Sequence, residues 1–102
     1  MARPKGSIGE TKMRLLAILY ENEKSGNASY GYACWKELSR KYQTCMGDDG
    51  LRNVYHHLDG LLDSELVNRN AEQASPRAPQ RHLYSLTLKG RNLFTKYERY
   101  TT

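Results

Sequence analysis

The sequence predicts one small, mainly helical (α+β) domain built from three helices, a two-stranded hairpin and a last helix. Apolar residues recur at helical spacing in three successive segments that polar stretches separate. Two segments typical of strands then flank a loop with two prolines, which predicts a hairpin with a long tip. The 102 residues, 38% of them hydrophobic, suffice for one packed core but not for a larger multilayer enzyme.

A basic arm and a capped helix are predicted at the start of the chain. Residues 1–6 show no periodicity and are expected to be flexible, which leaves residues 7–102 as the single domain. Ser7 and Glu10 fit a capping box, in which hydroxyl and carboxylate satisfy free backbone N–H groups. Gly26 is expected to end this first helix. Its apolar face consists of Ile8, Leu15, Leu16 and Leu19.

Two further helices are predicted in the middle of the chain. Ser29 is expected to cap the second helix, about residues 30–42, whose inward positions are Ala33, Cys34, Leu38 and Tyr42. Asp48 and Asp49 are expected to cap the third helix, about residues 50–64, and to stabilise its dipole. The apolar face of the third helix consists of Leu51, Val54, Leu58, Leu61 and Leu62.

The last third of the chain predicts the hairpin and the final helix. Residues 66–69 and 81–86 read as strands on either side of a loop, so the hairpin with its flanks spans about residues 66–87. In the second strand Leu83 and Ser85 lie on one face, and His82, Tyr84 and Leu86 lie on the other. Thr87 is expected to cap the last helix.

The last helix carries an apolar stripe with two explanations. The stripe consists of Leu93, Phe94, Tyr97 and Tyr100. It can pack on the core of its own domain, or it can pair with the first helix of a second copy. We expect a homodimer with these four residues in the interface.

The charge is basic and concentrated at both ends. The formal net charge is +5, with +3 in residues 1–14, −3 in residues 15–65 and +5 in residues 66–102. This distribution favours a polyanionic partner, either nucleic acid or an anionic membrane. No apolar run approaches about 18 residues and no secretory signal is present, so we expect a cytoplasmic protein without a membrane partner.

Catalytic and metal-binding patterns find no support in the sequence. His56 and His57 are adjacent and diverge by about 100° on a helix, so they cannot share one ion. Cys34 and Cys45 are far from a CxxC spacing and are expected to be reduced, although a disulfide is open for a hyperthermophile. No nucleophile with a base and an orienting group is found, so we expect no enzyme and no cofactor. A small-molecule effector is left open, without support in the sequence.

The order of the elements is that of a winged helix-turn-helix, in which the hairpin is the wing. The sequence also resembles the PadR-like family of bacterial and archaeal winged-helix regulators over about residues 8–95. The matching motifs are Gly31-Tyr32, the spaced set Val54-Tyr55, Leu58, Leu61 and Leu66-Val67, and Tyr84-x-Leu86-Thr87-x-x-Gly90. The family commonly has Gly and Thr at Arg52 and Asn53, an acid at Leu62 and Gly at Glu65. The match is to short members without a C-terminal dimerisation domain.

The resemblance implies a transcription regulator, with a repressor expected, that binds a palindromic operator in double-stranded DNA as a homodimer. The third helix would enter the major groove, where its N-terminal part presents Arg52, Asn53, His56 and, at the edge, His57. Contacts to phosphate or the minor groove are expected from Arg69, Arg77 and Arg81 in the wing, from Arg3 and Lys5, and from Tyr32 and Tyr55. In the opposing interpretation, the polar residues of the third helix form a solvated face. The wing and N-terminal cations would then belong to a mobile loop and terminus, and the two tyrosines would be half-buried in the core.

One feature contradicts simple DNA binding by the third helix. Residues 48–65 contain five acids and one Arg, a net charge of −4, and Asp59 falls on the face of Arg52 and His56. Asp59 would repel phosphate unless it is paired. The basic ends would therefore have to supply the affinity. The alternative function is a winged-helix protein-interaction module whose acidic third helix meets a basic partner and not DNA.

Overall fold

The structure is a computed structural model that describes residues 9–42, 47–72, 75–78 and 80–101, without the side chains of residues 47–49 and 72. It contains α1 (Glu10–Ser25), α2 (Gly31–Tyr42), α3 (Gly47–Asp63), β1 (Val67–Glu72), β2 (Arg81–Leu86), α4 (Leu88–Asn92), α5 (Phe94–Tyr97) and a 3-10 turn (Glu98–Tyr100). The predicted winged helix-turn-helix is confirmed. None of the described helices is long and apolar enough to cross a membrane.

The first helix begins later than the capping box predicts. Gly9 is the N-cap residue and provides no side-chain cap, while the Gly9 carbonyl accepts from the Met13 N–H at 3.0 Å. The Glu10 carboxylate pairs with Arg14 one turn further on, Oε1 to Nη2 at 2.9 Å. The prediction that Ser7 caps this helix is therefore wrong in position, and Ser7 itself lies outside the described residues.

The helix α1 is the centre of the core. Five consecutive residues, 15–19, are buried, because α2, α3, β2 and the C-terminal segment all pack against this helix. The sequence predicted burial on one face only, since periodicity indicates one contact layer and does not count the elements that surround a helix. The rest of the core consists of Cys34, Leu38, Val54, Leu58, Leu61, Leu66, Val67, Tyr84, Leu86 and Tyr97.

The starts of α2 and α3 also differ from the prediction. Tyr30, and not Ser29, directly precedes α2, and its carbonyl accepts from the Cys34 N–H at 2.9 Å. The buried Ser29 hydroxyl instead accepts from Asn22 Nδ2 at 3.0 Å, which ties the end of α1 to the start of α2. Because α3 begins at Gly47, Asp48 and Asp49 lie inside its first turn, and their side chains fall outside the described part of the chain.

The helices α1 and α3 end in the same motif. In α1 the N–H groups of Gly26 and Asn27 bind the carbonyls of Glu23 and Asn22, and Gly26 has a φ of 77°. In α3 the N–H groups of Glu65 and Leu66 bind the carbonyls of Leu62 and Leu61, and Glu65 has a φ of 62°. These are two Schellman motifs, and the second holds a non-glycine residue in the left-handed region that favours glycine.

The wing is a regular antiparallel hairpin with Val67 opposite Leu86 and Glu72 opposite Arg81. The first strand is longer than predicted, and the tip is correspondingly shorter. Tyr84 and Leu86 face the core, which confirms their shared face. The other edge of β2 is bridged by Tyr30, opposite Leu83, and the Tyr84 N–H donates to the Ser29 carbonyl at 2.9 Å.

The C-terminal segment is capped as predicted but is not one helix. Thr87 Oγ1 accepts from the Gly90 N–H at 3.0 Å and donates to the Glu65 carbonyl at 2.7 Å. A Cβ on Gly90 would overlap the backbone oxygen of Leu66, so this close approach requires glycine. The chain then turns at Leu93, and the segment after the turn brings Tyr97 into the core.

The apolar stripe is explained largely by packing within the chain. Tyr97 is completely buried, and its hydroxyl donates to the Gly90 carbonyl at 3.1 Å. It therefore has no surface to offer to a second copy, which corrects its placement in a dimer interface. The other three residues, Leu93, Phe94 and Tyr100, are partly buried against the same core.

Candidate nucleic-acid interface

The N-terminal half of α3 presents a polar exposed face. Arg52, Asn53 and His56 are exposed, whereas Val54 and Leu58 on the opposite side are completely buried. The burial of the apolar side fixes the rotation of α3, so the three polar residues lie together on the outside. The structure thus brings together the three residues that the sequence predicted to read base edges.

His57 is oriented differently from its neighbour. It is partly buried, and its Nδ1 lies 3.2 Å from the Nζ of Lys12 in α1, whose ammonium donates to the ring nitrogen. The stem of Lys12 passes over α3 at Gly60, where a Cβ would lie 2.7 Å from Lys12 Cε. His57 therefore joins α3 to α1, while its ring centroid lies 6.3 Å from that of His56.

A groove lies between the start of α2, α3 and the beginning of β2. Its volume is about 370 Å³, and it is lined by Tyr30, Gly31, Tyr32, Tyr55, Gln80, Arg81 and His82. Tyr55 packs over Gly31 so closely that a Cβ there would overlap the ring. Tyr32 is 54% exposed and contacts the Trp35 ring, with centroids 5.3 Å apart. The two tyrosines thus share one groove, and each has a different packing partner.

The tyrosine hydroxyls in this region are suited to hydrogen bonding. Partial burial raises the pKa of Tyr55, so its phenol stays protonated and can donate to an anionic oxygen. The Arg81 guanidinium lies over the Tyr30 ring, 4.3 Å from its centroid, which places one positive charge at the groove. A groove with phenol donors and a guanidinium can bind a phosphate group.

The cations of the wing differ in how they are bound. Arg77 lies exposed near the hairpin tip. Arg69 in β1 pairs with Asp59 in α3, Nη1 to Oδ1 at 3.1 Å. Arg3 and Lys5 lie outside the described residues. Arg69 is thus bound to an acid, and the paired acid is the one that sequence reasoning left without a partner.

Arg69 also contacts the residue opposite it in the hairpin. Arg69 and Tyr84 are cross-strand partners, and burial raises the pKa of Tyr84, which a hydrogen bond from Arg69 partly offsets. The side chains of Asp59, Arg69 and Tyr84 therefore form a chain from α3 to β2. Nothing local in the sequence indicated this chain, because its members are separated by 10 and 15 positions.

The buried Cys34 thiol has a structural role. Cys34 is a free, buried thiol, and burial raises its pKa to about 12, which keeps it protonated and unreactive. Cys45 lies outside the described residues. In the described ranges, no group of three or more His, Cys, Asp or Glu side chains is placed to hold a metal ion.

Comparison with solved structures finds the same fold in several transcription regulators. The PadR family transcription regulator of Clostridium difficile is 18% identical, with a TM-score of 0.66 over 89% of this chain and 85% of that protein. A PadR-like transcriptional regulator of Bacillus cereus is 20% identical, with a TM-score of 0.63 over 86% of this chain and 77% of that protein. RosR of H. salinarum is 22% identical, with a TM-score of 0.67 over 95% and 76%.

Scans against protein-family models and against curated proteins give no match. The likeness is therefore one of structure, at sequence identities of 18–22%. On this ground the chain has the winged helix-turn-helix fold of the PadR-like transcription regulators.

Proposed function

We propose that this protein is a transcription regulator that binds double-stranded DNA, with α3 in the major groove. The observation that carries the proposal is the exposed set Arg52, Asn53 and His56 on the N-terminal half of α3. In a helix-turn-helix this part of the second helix meets base edges. Arg pairs with guanine and Asn with adenine in a bidentate manner, so these side chains suit sequence readout.

Phosphate contacts would come from the groove and the wing. The groove beside α3 offers the Tyr32 and Tyr55 hydroxyls together with Arg81, and Arg77 extends from the hairpin tip. The arm with Arg3 and Lys5 belongs to the same proposal, because the basic ends of the sequence must offset the acids of α3. These contacts would position the protein without reading sequence.

The proposal includes a homodimer that represses transcription from a palindromic operator, in a cytoplasmic setting and without enzymatic activity. The partly buried residues Leu93, Phe94 and Tyr100 remain the candidates for the dimer contact. Two copies related by a twofold axis would place their α3 helices in half-sites about 34–36 Å apart.

A second candidate function is a protein-interaction module. It is favoured by the exposed acids at the C-terminal end of α3, which include Asp63 and Glu65. An acidic helix surface would suit a basic protein partner. The pairing of Asp59 with Arg69 weakens this alternative, because it removes one acid from the free surface.

Titration of a labelled random-sequence duplex at low and moderate salt tests the proposal. We expect binding that weakens with salt, with a slope that reports the number of phosphates contacted. Selection of bound sequences from a random duplex pool would then give the operator and show any palindrome. If no salt-dependent binding to duplex DNA occurs, the protein-interaction function replaces the proposal.

A further inference from the structure

Asp59 and Arg69 join the proposed reading helix to the wing. The Asp59 carboxylate on α3 and the Arg69 guanidinium on β1 are 3.1 Å apart, Oδ1 to Nη1. We propose that Asp59 is a specificity-determining residue, which acts as an internal counter-ion of Arg69 and lowers the affinity for non-cognate DNA. The inference rests on the proposed DNA-binding function and assigns a role to an acid that opposes binding.

Asp59 lies on the face of α3 that DNA would approach. It follows Arg52 and His56 at spacings of seven and three residues, so all three lie on one face of α3. The side chains of Asp59 and Arg69 are 58% and 37% exposed, so both can be reached from solvent. A phosphate at the seam between α3 and β1 therefore meets a neutral pair and not a free cation.

Arg69 is held in place by more than the ion pair. A hydrogen bond joins it to the buried Tyr84 opposite it in the hairpin. Loss of the Asp59 charge would thus leave the guanidinium at the seam with its charge unopposed. It would then be available to phosphate, a contact that adds affinity for every sequence alike.

A role in fold stability does not account for this pair. Exposed ion pairs contribute little to folding, since the charges are well solvated when apart. The core beneath is formed largely by apolar side chains, and Asp59 itself is not part of it. Substitution of Asp59 should therefore alter the electrostatics of the surface and leave the domain folded.

The test compares Asp59→Asn with Asp63→Asn, measured on the full chain with a random-sequence duplex and with the best duplex from the selection. Both variants gain the same net charge, but Asp63 lies one turn further along the same face of α3. We expect Asp59→Asn to bind the random duplex about two- to five-fold more tightly than Asp63→Asn does. Its salt slope should increase by about one. Discrimination between the two duplexes should fall.

The variant Asp59→Asn/Arg69→Gln separates the counter-ion role from a general charge effect. With Arg69 removed, the gain in random-duplex affinity should disappear. The inference is overturned if Asp59→Asn and Asp63→Asn behave alike, or if the gain persists without Arg69. Absence of salt-dependent DNA binding by the unmodified protein would instead refute the proposed function, so the two failures are distinguishable. Thermal unfolding of each variant verifies that the domain is folded.

Discussion

The ring of Tyr55 in α3 packs over Gly31, the first residue of α2, and leaves no room for a side chain there. These residues belong to two separate motifs by which the sequence resembles PadR-like regulators. The structure explains why they occur together, because the helices of the helix-turn-helix approach each other at this point. The contact also orients Tyr55, which forms one side of the groove beside the exposed face of α3.

Gly31→Ala should destabilise the domain, although alanine is the better helix former. A Cβ at Gly31 would displace the Tyr55 ring, and such overpacking costs about 1–3 kcal/mol of the free energy of unfolding. Chemical denaturation of the single variant measures this cost.

The matched control is the same substitution in a Tyr55→Ala background. Without the ring, Gly31→Ala should stabilise the domain by about 0.5–1 kcal/mol, because alanine has a higher helix propensity than glycine. If Gly31→Ala changes the free energy of unfolding equally in both backgrounds, the packing of Tyr55 on Gly31 is not the cause of the destabilisation.

Glu65→Gly should stabilise the domain. Glu65 has a φ of 62° in the Schellman motif that ends α3, a conformation that costs an L-residue about 1–2 kcal/mol. Glycine removes this cost but loses more chain entropy, so we expect a net gain of about 0.5–1 kcal/mol in denaturation experiments.

Two controls separate backbone strain from charge. Glu65→Ala removes the carboxylate but retains the left-handed Cβ, so it should change stability little. Gly26→Ala places a side chain in the equivalent position after α1, where φ is 77°, and should destabilise by about 1 kcal/mol. Equal gains from Glu65→Gly and Glu65→Ala would show that charge, and not backbone conformation, limits stability at this position.

Much of the fold was predictable because apolar periodicity is a local signal. The apolar positions of α3 repeat at helical spacing, and Val54, Leu58 and Leu61 are completely buried as expected. The Thr87 cap was also predictable, since its bond to Gly90 spans three residues. The exposed positions of Arg52 and Asn53 follow from the same periodicity once one face of α3 is assigned to the core.

Contacts between distant segments were not predictable. The pairing of Asp59 with Arg69 and that of Lys12 with His57 depend on how the elements pack, which no local spacing encodes. Helix ends were also misplaced, as at Gly9, where α1 begins without the side-chain cap that the sequence pattern predicted. The last helix was predicted as continuous, but the structure interrupts it at Leu93. The segment after this turn buries Tyr97 against distant parts of the chain, a contact that local spacing does not encode.

Stability should decline at alkaline pH because two buried groups must stay protonated. Burial raises the pKa of Tyr97 from 10 to about 12 and that of Cys34 from 9 to about 12. A raised pKa in the folded state contributes stability below the unfolded pKa, and this contribution is lost as the pH rises toward the folded value. The free energy of unfolding should therefore fall between pH 9 and pH 12.

Tyr97→Phe isolates the phenol in this response. At neutral pH the variant should lose about 0.5–1.5 kcal/mol, because the hydrogen bond to the Gly90 carbonyl is removed. Between pH 10 and pH 12 its stability should decline less steeply than that of the unmodified protein, by up to about 1.4 kcal/mol per pH unit. Denaturation curves across this range measure both effects, and parallel pH profiles would contradict a buried neutral phenol.

Substitutions in α3 and in the wing should affect DNA binding in different ways. Arg52→Ala and Asn53→Ala should each cost about 1–3 kcal/mol on the selected operator at one base position, and less on random duplex, because they remove base contacts. Arg77→Ala should weaken binding to all duplexes alike and lower the salt slope by about one, as expected for a phosphate contact. All three side chains are exposed, so we expect the three variants to remain folded. If both α3 variants retain full operator selectivity, α3 is not the reading helix, whatever affinity the wing provides.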